Sequence, residues 1–197
     1  MGITRRDFLV AGVSAAALAA CGSTAAYAGV GTSSLVRPVG GQDETTFLAG
    51  CLRCDRCRSV CPENVIDLAH AEDGFFEMRT PKMNFHLGAC TFCNKCVDVC
   101  PTGVLHAIDP SKDKLGIAEI RPAQCVAYRN PGSCSKCAEV CPYDACHIQG
   151  GYPVIDDDAC NGCGTCVYDC PALVLTAVDS TGERGVEVVT VAEHERG

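Results

Sequence analysis

Cys160-Asn161-Gly162-Cys163-Gly164-Thr165-Cys166-Val167-Tyr168-Asp169-Cys170-Pro171 places four cysteines at C-x2-C-x2-C-x3-C, with proline directly after the last. That spacing is a ligand run for iron-sulfur clusters. Three thiolates three residues apart let one loop wrap three irons of a cubane, and the fourth reaches a different cluster. Proline after the fourth cysteine suits the first position of a short helix, where its missing N–H is not needed. Gly162 and Gly164 are expected to let backbone N–H groups come close to the inorganic sulfides.

The run repeats. Cys51, Cys54, Cys57 and Cys61 before Pro62 have the same spacing, as do Cys90, Cys93, Cys96 and Cys100 before Pro101. A variant copy has Cys125, an eight-residue insertion, then Cys134, Cys137, Cys141 and Pro142. Sixteen cysteines form four complete sets and supply iron ligands for four 4Fe-4S clusters, with no set short of the ligand whose loss points to a three-iron cluster. Asn64-Val65-Ile66, Gly103-Val104-Leu105 and Leu173-Val174-Leu175 follow the fourth cysteines at equivalent places, and these aliphatics should pack on the clusters. Cys146 falls five residues after Cys141, where the other sets have Ile66, Leu105 and Leu175, so it reads as packing and not as a ligand. His106 and His147 align with helix-surface positions, and nothing pairs them for metal or proton chemistry.

Lys plus Arg number 16 against 24 Asp plus Glu in 197 residues, a net charge of −8 that excludes a basic nucleic-acid footprint. Each oxidised cluster with four thiolates would add roughly two more negative charges. Aromatic residues make up 6% and Trp is absent, too little for a large conventional core, so the metal is expected to serve as core and the apoprotein to be largely unfolded. A disulfide framework is the main competitor for 18 cysteines in an exported chain; the period-three spacing and four Cys-Pro dipeptides stand against it. Structural zinc sites use paired C-x2-C knuckles and not three cysteines in series. Multihaem attachment needs C-x-x-C-H, which does not occur.

Residues 1–28 read as a twin-arginine signal peptide: Thr4-Arg5-Arg6-Asp7-Phe8-Leu9 precedes an Ala-rich run from Phe8 to Ala20, short for a bilayer span. An export route for folded proteins suits a chain loaded with clusters before it leaves the cell. Two processing sites are open. Ala26-Tyr27-Ala28 fits signal peptidase, whereas Leu18-Ala19-Ala20-Cys21 resembles a lipoprotein box that would lipidate Cys21 and hold the protein at the membrane surface. Either outcome puts the protein in the periplasm or on the outer face of the cytoplasmic membrane.

Residues 29–44, rich in Gly, Ser and Pro, read as a flexible leader. Two ferredoxin-like halves follow, 45–112 with the first two cysteine sets and 113–180 with the last two, and then a tail, 181–197. Met83–Leu87, Gly116–Ile120 and Tyr152–Asp156 read as short strands leading into the next motif, Val186–Val191 as a further strand, and the charged end as frayed. The expected fold is α+β: two bacterial-ferredoxin-like dicluster modules, with short antiparallel strands and short helices around four 4Fe-4S clusters.

Phe47-Leu48-Ala49-Gly50-Cys51, the Cys-Thr-Phe-Cys of the second set, Cys125-Val126-Ala127-Tyr128 and Cys160-Asn161-Gly162-Cys163-Gly164 resemble the ferredoxin-type accessory proteins of periplasmic nitrate reductase systems, over about residues 45–180. The exported branch of that family is similar also to a methylamine-utilisation ferredoxin. The resemblance implies passage of electrons from a membrane-bound quinol-oxidising ferredoxin-type protein towards an exported terminal reductase. It also implies that Cys51, Cys54 and Cys57 hold one cluster while Cys61 serves a neighbour, with Cys90, Cys93, Cys96 and Cys100 alike. A non-catalytic relay leads, since no G-x-G-x-x-G, P-loop or activated nucleophile is present. An electron-transfer subunit of a molybdenum-cofactor oxidoreductase and a maturation factor for such a reductase are the alternatives.

Overall fold

A computed structural model describes residues 35–172 and 183–197. The signal-peptide reading, Arg5, Arg6 and Cys21, and the Leu173-Val174-Leu175 repeat lie outside the described residues.

Short elements follow the cysteine runs. Helix α1 (Glu44–Gly50) starts at Asp43, whose carboxylate accepts from the Thr46 N–H, and ends at Cys51. Helix α2 (Arg56–Val60) carries Cys57, and α3 (Lys95–Asp98) carries Cys96. The two pack on each other. In the second half α4 (Val126–Arg129) fills the insertion after Cys125, and α5 (Lys136–Val140) with Cys137 packs on α6 (Thr165–Tyr168) with Cys166.

Three antiparallel two-stranded sheets flank these helices. Strand β1 (Ile66–Leu68) pairs with β2 (Pro81–Met83), Ile66 opposite Met83. Strand β4 (Cys146–Gln149) pairs with β5 (Tyr152–Ile155), Cys146 opposite Ile155, through a Gly150-Gly151 turn with positive φ at both glycines. Cys146 thus begins its hairpin where Ile66 begins the other. Strand β3 (Ile117–Ile120) pairs across the whole second half with β6 (Val186–Val189). Short helices and small antiparallel strands make this a ferredoxin-like arrangement.

Two expectations are corrected. The leader 29–44 is not flexible over its described part, because Val36, Arg37, Pro38 and Val39 are buried. Arg37, 1% exposed, survives burial because every face of its guanidinium is engaged. It pairs with Glu44, donates to Thr80 Oγ1 at 2.8 Å and to the Pro81 carbonyl at 3.0 Å, and lies 4.8 Å from the Phe47 ring centroid. The charged C-terminus is not frayed either: Val191–His194 forms helix α7, capped by Thr190 and anchored by His194 between Glu119 and Asp157.

Ala172, directly after Pro171, is helical as expected, but the other three Cys-Pro dipeptides differ from expectation. Pro62, Pro101 and Pro142 lead into turns, not helices. Asn64, Gly103 and Asp144, each three residues after the cysteine, take positive φ and stop any helix at once. The helices come before the fourth cysteines, and α2 and α5 end at Cys61 and Cys141.

Candidate metal centres

Around the C-x2-C-x2-C loops the backbone bends the same way in the three regular sets. Arg53, Phe92 and Gly162 after the first cysteine, and Asp55, Asn94 and Gly164 after the second, all have left-handed φ between 53° and 79°. Only the fourth set uses glycine at both places, and the structure shows why. A Cβ on Gly162 would lie 2.5 Å from the Gly116 carbonyl oxygen, and one on Gly164 would lie 1.9 Å from the Phe85 ring. Close packing demands these glycines, within the second half at Gly162 and against Phe85 of the first half at Gly164.

The sixteen predicted cysteines line four cavities, four to each. Site 1 is bounded by Cys51, Cys54, Cys57 and Cys100, in a space of about 370 Å³. Site 2 has Cys90, Cys93, Cys96 and Cys61 around about 350 Å³. Site 3 has Cys125, Cys134, Cys137 and Cys170 around about 320 Å³. Site 4 has Cys160, Cys163, Cys166 and Cys141 around about 370 Å³. Each set gives three cysteines to its own cavity and the fourth to that of its partner set: first with second, third with fourth. The insertion after Cys125 leaves that cysteine at its cavity, because α4 takes up the extra chain.

Sulfur environments suit thiolates bound to a positive core. Burial pushes the Cys57 and Cys90 thiols up to about 12 and Cys96 up to about 11. Burial also raises Cys51, Cys125, Cys160, Cys166 and Cys170. Such groups keep their protons unless a cation replaces them, and iron supplies that charge. Backbone N–H groups are already aimed at sulfur, as Arg53 to Cys51 at 3.4 Å, Ala145 to Cys141 at 3.3 Å and Ala118 to Cys160 at 3.4 Å. At Cys100 burial is outweighed by the Thr102 hydroxyl and the N–H groups of Leu105, Thr102 and Val104, so its thiol falls below the usual value. Among the described residues no three His, Cys, Asp or Glu side chains meet closely enough for a single metal ion. The cysteines ring a volume, as a polynuclear group requires.

Cys146 is buried, lines site 4 beside its four cysteines, and hydrogen-bonds the Cys137 sulfur of site 3, the foremost cause, ahead of burial, of the raised Cys137 thiol. His106 is exposed, and His147 is exposed on β4.

Sites 2 and 4 meet across the two halves. The Cys90 N–H donates to the Cys163 carbonyl at 2.8 Å, and the Phe92 ring stands edge-on to Tyr143 at 6.3 Å. Asn161 completes the seam: buried, it accepts from the Cys163 N–H, donates to the Pro110 carbonyl at 3.1 Å and receives the Leu115 N–H. Sequence reasoning missed Asn161, although Asn-Gly at the start of a ligand loop is a turn signal in its own right.

With this geometry in view, the comparisons with known proteins are specific. Residues 50–104 and 89–145 match the 4Fe-4S dicluster domain, and residues 152–175 match a 4Fe-4S binding domain. The chain is 34% identical to the ferredoxin-type protein NapF of Haemophilus influenzae, over 73% of this chain and 79% of that protein. It belongs to the ferredoxin-type NapF family. Identity to NapF of Escherichia coli K12 is 30%, over 74% of this chain and 85% of the relative. A NapF-like chain is an iron-sulfur protein of ferredoxin type, and 4Fe-4S chemistry is what the cavities fit. The match at 89–145 spans the second and third cysteine sets, yet these do not share a cavity; it reflects repeat similarity, not pairing. A chain of the formate dehydrogenase, heterodisulfide reductase and formylmethanofuran dehydrogenase complex of Methanospirillum hungatei aligns at 23% identity. It covers 73% of this chain and 50% of that one with a TM-score of 0.27, too low to carry an argument.

Proposed function

We propose that each of the four sites holds one 4Fe-4S cluster through its four cysteines, in two dicluster modules, and that the chain relays electrons without catalysing a reaction of its own. The observation that carries this reading is the set of four cavities, joined in a row, among which the sixteen motif cysteines are divided four to each. A 4Fe-4S cluster supplies a one-electron redox centre. The protein's part is to release thiol protons on loading, direct N–H groups at sulfur and exclude water with residues such as Val65, Ile66 and Leu105. Sites 1 and 2 share exchanged cysteines, as do 3 and 4, and the Cys90–Cys163 bond joins 2 to 4, so the conducting order is 1, 2, 4, 3.

The relay runs from a membrane-bound quinol-oxidising protein towards an exported terminal reductase, with periplasmic nitrate reductase the first candidate. Export follows the twin-arginine route, because threading an unfolded chain would deliver bare thiols to an oxidising compartment. Anaerobically prepared protein should contain about 16 iron atoms per chain, four in each of four cubanes, and a reproducible value near 8 in fully loaded protein would refute the four-cluster reading. Arg5→Lys with Arg6→Lys keeps the charge but loses the guanidinium fork, so loaded precursor should stay in the cytoplasm. Undiminished loaded protein outside the membrane would refute the export route.

A further inference from the structure

The loop from Cys51 to Cys61 carries Arg53, Arg56 and Arg58 against Asp55 alone, in a chain of net charge −8. The matching runs elsewhere differ: Cys90–Cys100 has Lys95 with Asp98, and Cys160–Cys170 has only Asp169. Clusters of one type carry the same charge at every site, so neutralising a cluster does not account for arginines gathered at site 1. Leu52 and Arg56 line site 1, and Cys54 is exposed there.

Beside this loop stands an apolar surface that is exposed among the described residues. Leu52 is 66% and Phe75 79% exposed, and the Phe75 and Phe76 rings stack edge-on against each other at 5.7 Å. The Arg53 side chain donates to the Phe76 carbonyl at 2.7 Å and fixes the aromatic loop next to the cysteine loop. Exposed aromatics edged by arginine are the composition of an interface centre. An acidic protein repels acidic partners over most of its surface, so one basic rim directs them to a single face.

We propose that the face centred on Leu52, Phe75 and Phe76 and rimmed by Arg53 and Arg56 is the docking site of a redox protein with an acidic surface. The proposal rests on site 1 being a cluster site. One electron leaves the cofactor of the docked donor and enters the cluster held by Cys51, Cys54, Cys57 and Cys100, or passes the opposite way to a docked acceptor. No bond or proton changes hands.

The test uses loaded protein and flavodoxin, an acidic one-electron carrier, with a basic cytochrome c as counter-probe. Oxidised flavodoxin should bind wild type with an affinity that falls as salt rises. Arg53→Glu with Arg56→Glu should weaken that binding at least tenfold at low ionic strength without weakening cytochrome c. Phe75→Ser, a change on an exposed ring, should weaken flavodoxin several-fold while leaving the rate of reduction by methyl viologen unchanged. Flavodoxin affinity indifferent to all three residues, in protein that viologen reduces normally, overturns the docking face and leaves the relay standing. Flavodoxin binding that needs these residues in protein with no cluster at site 1 overturns the relay and leaves the docking face standing.

Discussion

The backbone N–H of Cys90 donates to the carbonyl oxygen of Cys163 at 2.8 Å, tying the first cysteine of the second set to the second cysteine of the fourth. This bond reorders the molecule. Along the chain the sets run first, second, third, fourth; in space site 4 lies next to site 2, and site 3 is at the far end. The more exposed cysteines, Cys54 and Cys93, belong to sites 1 and 2, whereas three of four at site 3, Cys125, Cys137 and Cys170, are buried.

Exchange of the fourth cysteines gives a sharp expectation. Cys61 stands at site 2 and not with its neighbours in sequence. Cys61→Ala and Cys93→Ala should therefore each lose the same cluster, and the double variant should lose no more iron than Cys93→Ala alone. Cys61→Ala with Cys54→Ala should lose two clusters, about 8 iron atoms. The reverse result on anaerobic protein, about 8 iron atoms lost with Cys93→Ala and about 4 with Cys54→Ala, would show that Cys61 serves site 1.

How far the sequence carries the reader depends on the range of each interaction. The cysteine sets are local patterns, and all sixteen predicted residues reach the cavities. Strands at 117–120 and 152–155 follow from alternation and β-branched residues, and they form close to where the pattern puts them. The pairing of Ile120 with Val186 is not legible, because it closes around the whole second half and depends on tertiary packing. Burial of residues 36–39 is hidden for another reason. A Gly- and Pro-rich stretch looks like linker, and what buries it is the set of partners around Arg37, namely Glu44, Thr80, Pro81 and Phe47, none of which marks itself in sequence.

Cys146 separates packing from ligation. It begins β4 opposite Ile155 as Ile66 begins β1 opposite Met83, so the structure gives it an aliphatic's place. Cys146→Ala should keep full iron content at a cost of about 1 kcal/mol for the small void. Cys163→Ala should lose a cluster and, because loading is coupled to folding, lower the yield of soluble protein. Loss of four iron atoms in the Cys146 variant would make it a ligand.

His194 brings pH into the anchoring of the C-terminus. Nδ1 lies 2.6 Å from Glu119 and Nε2 3.0 Å from Asp157, and only the imidazolium donates at both nitrogens. Hydrogen bonds to Glu119 first and Asp157 second raise its pKa above the ordinary 6.5. The stabilisation is therefore full below about pH 6.5 and fades as pH rises through the higher folded value. His194→Gln should lower the thermal midpoint at pH 6 and make progressively less difference at pH 8 and above. A difference that grows with pH would contradict the assignment.

The two glycines with left-handed φ at Gly103 and Gly162 separate backbone strain from close packing. A Cβ on Gly103, at φ +68°, meets nothing within 4 Å, so Gly103→Ala should cost only the left-handed penalty of about 1–2 kcal/mol. On Gly162, at φ +73°, the same atom would meet Gly116 backbone nitrogen and oxygen at 2.6 and 2.5 Å, with no flexible side chain to yield. Gly162→Ala must push apart the loop that carries Cys160 and Cys163 and the chain entering β3, whose Ala118 N–H points at the Cys160 sulfur. About 2–5 kcal/mol is the expected cost, strain and overpacking together. Unfolding that destroys clusters is irreversible, so the comparison is best made as bleaching half-life at fixed temperature. Gly162→Ala should bleach much faster than Gly103→Ala and lose the site 4 cluster first. Were the glycine there only to bring its N–H towards sulfide, the variant would keep its iron and its half-life and change only the potential of that cluster.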